Sequence, residues 1–506
     1  MEWHSRKGIY RKEVVEMKSV YISFIFALGV LLPLAVGCQQ PTNPALKHYE
    51  LGVALATQSE FDLAIASYTK AIELNPKFAL AYYNRGYIYY EKGEYDRAIA
   101  DFTKAIALDP KDALSYSNRG STYDKKGEYD KAIADYTKAI ALDTKYALAY
   151  SNRGYAYNKK GEYDKAIADH TKAIELNPKF ALAYYNRGYD YDKKGEYYKA
   201  IADYTKAIEI DTKYALAYND RGYTYYERGE YDRAIADYTK AIEIDPKLVR
   251  AYSNRGSTYD KKGEYDKAIA DHTKAIEIDP KLVRAYNNRG YTYNKKGEYD
   301  KAIADHTKAI EIDPKYAEAY YNRGYDYYER GEYDKAIADY TKAIELDPKH
   351  ALAHNNRGHT YNKKGEYDRA IADFTKAIEL DPKDALAYYY RGNRYYKKGE
   401  YDKAIADYTN AIELDPKYAE AYNNRGNTYE RKGEYDKAIA DYTKAIKLNP
   451  KLVLAYYNRG YTYYLPESQR QVFLAVADFR KVIELSNDTA LIDEAKQALR
   501  VMGYSW

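Results

Sequence analysis

Ala81–Pro110 reads AYYNRGYIYYEKGEYDRAIADFTKAIALDP, and nearly the same string returns every 34 residues through most of the chain. Thirteen glycines mark the period without a slip, from Gly52, Gly86, Gly120 and Gly154 onward to Gly460. A fixed period of this length means that one supersecondary unit, unable to bury its own apolar face, stacks on copies of itself. Within the unit, Ala79 to Lys92 is a helix-length run closed by Lys92-Gly93, a cation at the negative helix end followed by a C-terminal glycine. Glu94 and Asp96 place negative charge at the start of a second helix, in which Tyr95, Ala98, Ile99, Phe102, Ala105 and Ile106 recur at spacings of three and four. Asp109-Pro110 stops it, because the residue before proline avoids the helical region. Gly86, Ala98 and Ala105 are small where the two helices must approach closely.

Read around each glycine, the unit carries Tyr four before, Tyr three after, Ala twelve after, an aromatic or His sixteen after and usually Pro twenty-four after. With Tyr82, Gly86, Tyr89, Ala98, Phe102, Ala105 and Pro110 as its second copy, this spacing resembles the tetratricopeptide repeat (TPR). Tyr stands where the family often has Trp, and Arg85 where it often has Leu. The resemblance implies an all-α fold, a right-handed superhelical α-solenoid of thirteen helix-turn-helix repeats over residues 45–486. The first copy is the least typical, with His48, Leu51 and Leu55 at places that elsewhere hold Tyr, Arg and Tyr. The thirteenth is longer between its helices, from Leu465 to Phe473. Residues 487–506 form a C-terminal capping helix with Leu491, Ile492, Ala495, Ala498, Leu499 and Met502 on one face.

Residues 1–37 share none of this pattern. Arg6, Lys7, Arg11, Lys12 and Lys18 precede an apolar run from Val20 to Val36, which reads as a signal peptide, with Met17 as a second candidate start. Leu34-Ala35-Val36-Gly37-Cys38 resembles the lipobox of bacterial lipoproteins, which implies that Cys38, the sole cysteine, is lipidated and that residues 38–44 tether the repeats to a membrane. An uncleaved transmembrane anchor is the alternative. Basic residues ahead of the apolar run keep the N-terminus inside in either case, so the repeats are expected on the extracytoplasmic side.

The 80 basic and 76 acidic residues balance, so no electrostatic footprint for nucleic acid exists. No catalytic constellation, cofactor or metal site is expected, since nearly every acid, base or hydroxyl recurs in the 34-residue register with a structural or surface explanation. His170, His272 and His306 replace the packing aromatic of the second helix. His350, His354 and His359 gather around one helix without a carboxylate or cysteine in the pattern to complete a metal set.

Comparison of the copies with one another shows where they differ. Variation concentrates six and three residues before the glycine and one and four after it, positions that share one face of the first helix. In TPR arrays that face lines a peptide-binding groove. The resemblance therefore assigns to the groove Tyr83, Tyr87, Tyr90, Tyr185, Tyr189, Tyr321, Tyr325 and Tyr328, with Arg250 and Arg284 as the basic residues six before the glycine. These tyrosines have no packing role that the register demands, and partial exposure is expected of them. Beside them runs an asparagine two before the glycine: Asn84, Asn118, Asn152, Asn186, Asn254, Asn288, Asn322, Asn356, Asn424 and Asn458. It resembles the asparagine ladder that holds an extended peptide backbone, and the competing reading is a bond from each Asn to a neighbouring helix. Protein or peptide partners are the leading expectation, in envelope assembly, secretion or complex organisation. A repeating polysaccharide is the second, and an accessory role in a glycosyltransferase system the third. Arg one before the glycine and Asp fifteen after it, as in Arg85 with Asp101, are lost together in the first copy, which carries Leu51 and Ser67, so an ion pair between the two helices is expected.

Overall fold

The structure, a computed structural model, describes residues 43–465 and 471–506. The signal peptide, the Met17 start, Cys38 and most of the tether lie outside the described residues, as does the middle of the longer loop in the thirteenth copy. Among the described residues there are 27 helices and no strand, arranged as successive helix pairs and a single last helix. None of these helices is long and apolar enough to cross a membrane. The described residues divide into two compact units, one up to Lys199 and one from Ala200 onward, described separately below.

In the first unit, the second copy shows how the local sequence builds a pair. Its first helix runs Ala79–Lys92 and ends at Gly93, whose φ of 79° is left-handed and free of strain without a Cβ. The first copy turns at Ser59 instead, with φ 65°. The second helix runs Tyr95–Leu108, and the Asp109 side chain then accepts from the Lys111 N–H at 3.1 Å, fixing the turn into the next copy. Gly86 faces its partner helix closely: a Cβ there would meet the Asp101 Cβ at 3.1 Å and the Phe102 ring at 3.2 Å. Ala98 and Phe102 are fully buried, and the sequence-predicted stripe is the core of the pair.

The second unit repeats this build with the same register, ending in the helix Thr489–Val501. Asp488 caps that helix by accepting from the Ala490 and Leu491 N–H groups. Ala495 and Leu499 are fully buried in a cluster with Phe479 and Val482, so the last helix covers the apolar side of the thirteenth copy. Within each unit successive first helices touch one another, as Ala215–Glu227 touches Val249–Lys261, whereas no second helix makes comparable contact with the next. The first helices are therefore the inner layer of each unit and the second helices the outer one.

Candidate functional site

The expected ion pair is present, and it does more than join two helices. Arg85 donates from Nε and Nη2 to the two oxygens of Asp101, both at 2.8 Å, while its Nη1 donates to Thr69 of the preceding copy at 2.9 Å. The same three-way grip recurs from Arg119 with Asp135 and Thr103 to Arg459 with Asp478 and Thr443. The Asp side chains are almost wholly buried and the arginines mostly so, which removes the competition of water and makes a bidentate fork effective. Burial pushes the Asp373 carboxyl up, but bonds from Arg357 and His354 outweigh it and hold it below the usual range. Asp478 is held by the corresponding Arg459 without a histidine, and there burial wins and raises the carboxyl. The threonine partner has no signature in one copy alone, because it belongs to the copy before.

With the pairs so held, one face of the first helices is left open to water. In residues 200–506 that face carries Tyr223, Tyr291, Tyr325 and Tyr461 one residue after the glycine, and Leu352, Leu386 and Leu454 six before it, each 38% or more exposed. In residues 1–199, Leu46 and Leu80 are exposed at the second of these places. Arg250 and Arg284, in the same register, are exposed as well. Large apolar side chains are thus left in water at two register positions of a single helix face.

The structure corrects the expectation that the groove tyrosines lack a packing role. Tyr321 packs on His350, tilted, with ring centroids 4.7 Å apart, and Tyr90 and Tyr328 pack against Tyr95 and Tyr333 of their own second helices at 6.1 and 5.8 Å. Tyr83 packs on Phe102 at 5.8 Å and Tyr87 on Tyr90 at 6.4 Å. Tyr189 is half-buried beside Lys193. Tyr185 is 2% exposed instead of partly exposed, buried together with Ala181 and Leu182 one turn earlier on its helix. Of the eight, Tyr325 is the one that stands exposed.

The asparagine ladder is bonded within the protein. Asn118 donates to the Tyr83 hydroxyl at 2.7 Å, Asn84 to Tyr49 at 2.9 Å and Asn356 to Tyr321 at 3.0 Å. Where the preceding copy offers an amide at that place, the bond goes to it: Asn254 to Asn219, Asn322 to Asn287 and Asn458 to Asn423. Asn424 donates to both Tyr389 and Asn393. Asn288, which follows a copy with the short Ser253 at that place, reaches Ser257 at 3.5 Å instead. Asn152 and Asn186 hold the same register, the second of them buried. Except at Ser257 and Asn393, which stand one after the glycine, these bonds run to the residue three before the glycine of the preceding copy, so the ladder ties first helix to first helix.

The histidines of the second helices are more than stand-ins for an aromatic ring. His170 Nδ1 lies 2.8 Å from Asp190, and His306 Nδ1 lies 2.6 Å from Asp326, all four side chains being almost fully buried. Asn158 and Asn294 donate to the second oxygens of the same two carboxylates. His272 is served differently: Asp260 of its own copy reaches Nε2 at 3.2 Å and accepts from Thr292. Burial raises the Asp326 carboxyl, with the bond from His306 opposing it. These pairs carry a signal in the sequence. Asp190 and Asp326 are the sole aspartates two residues after a register glycine, and each follows a copy with His sixteen after it.

His350, His354 and His359 have three separate partners. His350 accepts from the Ala353 N–H, His354 lies 3.4 Å from Asp373, and His359 meets the Tyr390 ring edge-on at 4.0 Å. Among the described residues no three His, Cys, Asp or Glu side chains are gathered to hold a metal ion.

Sequence models described as the tetratricopeptide repeat match residues 49–113, 102–134, 147–180, 181–214, 203–236, 249–282, 283–316, 307–338, 351–384, 374–406 and 419–452, and those of the TPR repeat match 122–161, 222–263, 324–365 and 392–433. No curated protein matches the chain. Among solved structures it is similar to the crystal structure of the APC/C hetero-tetramer Cut9–Hcn1, at 18% identity over 90% of this chain and 98% of that one, with a TM-score of 0.42. YrrB, described as a TPR protein with an unusual peptide-binding site, is 29% identical over 36% of this chain and 95% of its own, TM-score 0.31. The MamA protein is 33% identical over 34% of this chain and 94% of its own, TM-score 0.31.

Proposed function

The chain belongs to the tetratricopeptide repeat family, and on that premise we propose that it is a binding scaffold whose first-helix face takes an extended segment of a protein partner. The observation that carries this reading is the set of exposed Leu and Tyr side chains at two register positions of that face. The ladder asparagines cannot supply the affinity, since a net hydrogen bond is worth about 1 kcal/mol and their amide groups are already engaged. Burying a Leu or aromatic side chain contributes about 1.5–3 kcal/mol, so four or five such contacts reach the ~8 kcal/mol of micromolar binding with something left for association costs. The scaffold acts as a non-enzymatic organiser in envelope assembly, secretion or complex organisation.

The leader supports an extracytoplasmic location with Cys38 as the lipid anchor. Cys38→Ser should release the protein from membranes or block its processing. A variant that stays membrane-bound with an intact N-terminus replaces the lipid with an uncleaved span. A repeating polysaccharide is the second reading, favoured by tyrosines that recur at one helical position, since aromatic faces stack on sugar rings.

Capture of partners by the purified chain, followed by binding measurements on Tyr325→Ser with Leu352→Ser, tests the site. Binding should fall at least tenfold, and the melting midpoint should hold. Unchanged protein binding in that variant sinks the proposal, and retention of purified envelope polysaccharide in place of protein moves the function to the second reading.

A further inference from the structure

The eleventh copy, whose first helix is Ala385–Lys397, departs from the register at several places of one face at once. Tyr390 stands where ten copies have the ladder asparagine, and Arg394 stands where Thr122, Thr224, Thr258, Thr292, Thr360, Thr428 and Thr462 stand in others. Each of those threonines is fully buried. A guanidinium at that place cannot be buried as they are. Arg394 reaches back to Asn362 of the tenth copy, donating from Nη1 to the amide oxygen, and lies over the Tyr367 ring at 5.3 Å.

What Arg394 lacks is an acid. Its Nε is sealed from solvent with no acceptor, its Nη2 makes no hydrogen bond, and no carboxylate lies within ion-pair range among the described residues. The arginine three residues earlier, Arg391, shows the contrast, for both its forked bonds go to Asp407. The other charges nearby do not help. His359, packed against Tyr390, is pushed down to about 4 by burial and by Arg394 and Lys363, and so stays neutral. Asn393 has its oxygen committed to Tyr408 and Asn424. A half-buried cation without a counter-charge costs folding free energy unless something outside the chain satisfies it.

We propose that Arg394 is an anion site that receives a carboxylate side chain of the partner segment bound along the first helices of copies ten and eleven. The inference rests on the peptide-binding reading above. Nη2, unbonded and, unlike Nε, not sealed from solvent, is the arm that a carboxylate oxygen can reach in a charge-assisted bond. A phosphate, with its larger charge, calls for more than one cation, and the guanidinium of Arg394 has no second cation among its own contacts. Exposed Leu352 and Leu386, on the same two helices, supply the apolar contacts that flank an acidic residue in the segment.

The test uses the full chain with labelled decaglutamate and decaglutamine, inorganic phosphate, and the variant Arg394→Thr, which installs the residue most copies carry. Decaglutamate should bind the unaltered chain and lose about tenfold in Arg394→Thr, the worth of one charge-assisted bond, with decaglutamine unaffected. The melting midpoint of Arg394→Thr should stay level or rise, since the register accommodates Thr. Equal decaglutamate affinity in both chains overturns the proposal, as does the absence of decaglutamate binding. A lowered midpoint without a binding change makes Arg394 a structural residue and also overturns it. Stabilisation by phosphate that depends on Arg394, without any by decaglutamate, reassigns the site to phosphate. Loss of the captured partner in Tyr325→Ser with Leu352→Ser but not in Arg394→Thr leaves the face standing and removes only the anion site, and loss in neither removes both.

Discussion

Arg323 holds Asp339 with two parallel bonds, Nε to Oδ2 at 2.7 Å and Nη2 to Oδ1 at 2.8 Å. Its remaining arm takes Thr307 of the preceding copy at 3.0 Å, so one side chain sets both the spacing within a pair and the step between pairs. Removing the acid alone strands a mostly buried guanidinium, and Asp339→Ala should cost about 3–5 kcal/mol. Replacing both partners by the residues of the first copy, Arg323→Leu with Asp339→Ser, should cost less than the single change. Urea unfolding of the two variants decides it, and a double variant less stable than the single one refutes the stranded-charge account.

The ladder asparagines should matter to stability, contrary to what a ligand-reading role alone requires. Asn356→Ala removes the bond to the Tyr321 hydroxyl and should cost about 1 kcal/mol. Tyr321→Phe should cost a similar amount, and the pair should be less than additive in a double-mutant cycle. Full additivity would mean the two groups do not interact.

The buried histidines should be stable only with their acids. Asp326→Thr, which installs the residue most copies carry, leaves His306 Nδ1 buried without its partner and should destabilise by about 1–3 kcal/mol. Adding His306→Tyr should recover most of that loss, because Tyr at this place in other copies needs no aspartate. Thermal melts of the single and double variants provide the check.

Acid should weaken the second unit through His359. Its imidazole is held down to about 4 from an ordinary 6.5, first by burial and then by Arg394 and Lys363, so the native state binds the proton more weakly than the unfolded chain. The stabilisation from this site is full above pH 6.5 and is lost as the pH falls toward 4, a difference on the order of 3 kcal/mol. His359→Tyr, the commonest residue at that place, should flatten the acid limb of the melting profile between those values. An unchanged limb would show that His359 is already charged in the native state.

Much of this protein follows from residues close together in sequence. The period of the glycines, the closing turn at Gly93 and the stop at Asp109-Pro110 act over one or two helical turns, so the helix bounds Ala79–Lys92 and Tyr95–Leu108 are legible without the fold. The Arg85 and Asp101 pair was legible too, because the first copy loses both residues together. What only the tertiary structure decided lies between copies. Thr69 meets Arg85, Asn118 meets Tyr83 and His306 meets Asp326 because the stacking step brings residues of different copies face to face, and no local periodicity announces those meetings. The same step decides what remains unmet. Eight tyrosines share one kind of helical face, yet neighbouring rings and amides engage most of them, while Arg394 is a concealed cation because the copy before it offers an amide oxygen where an acid would have been needed.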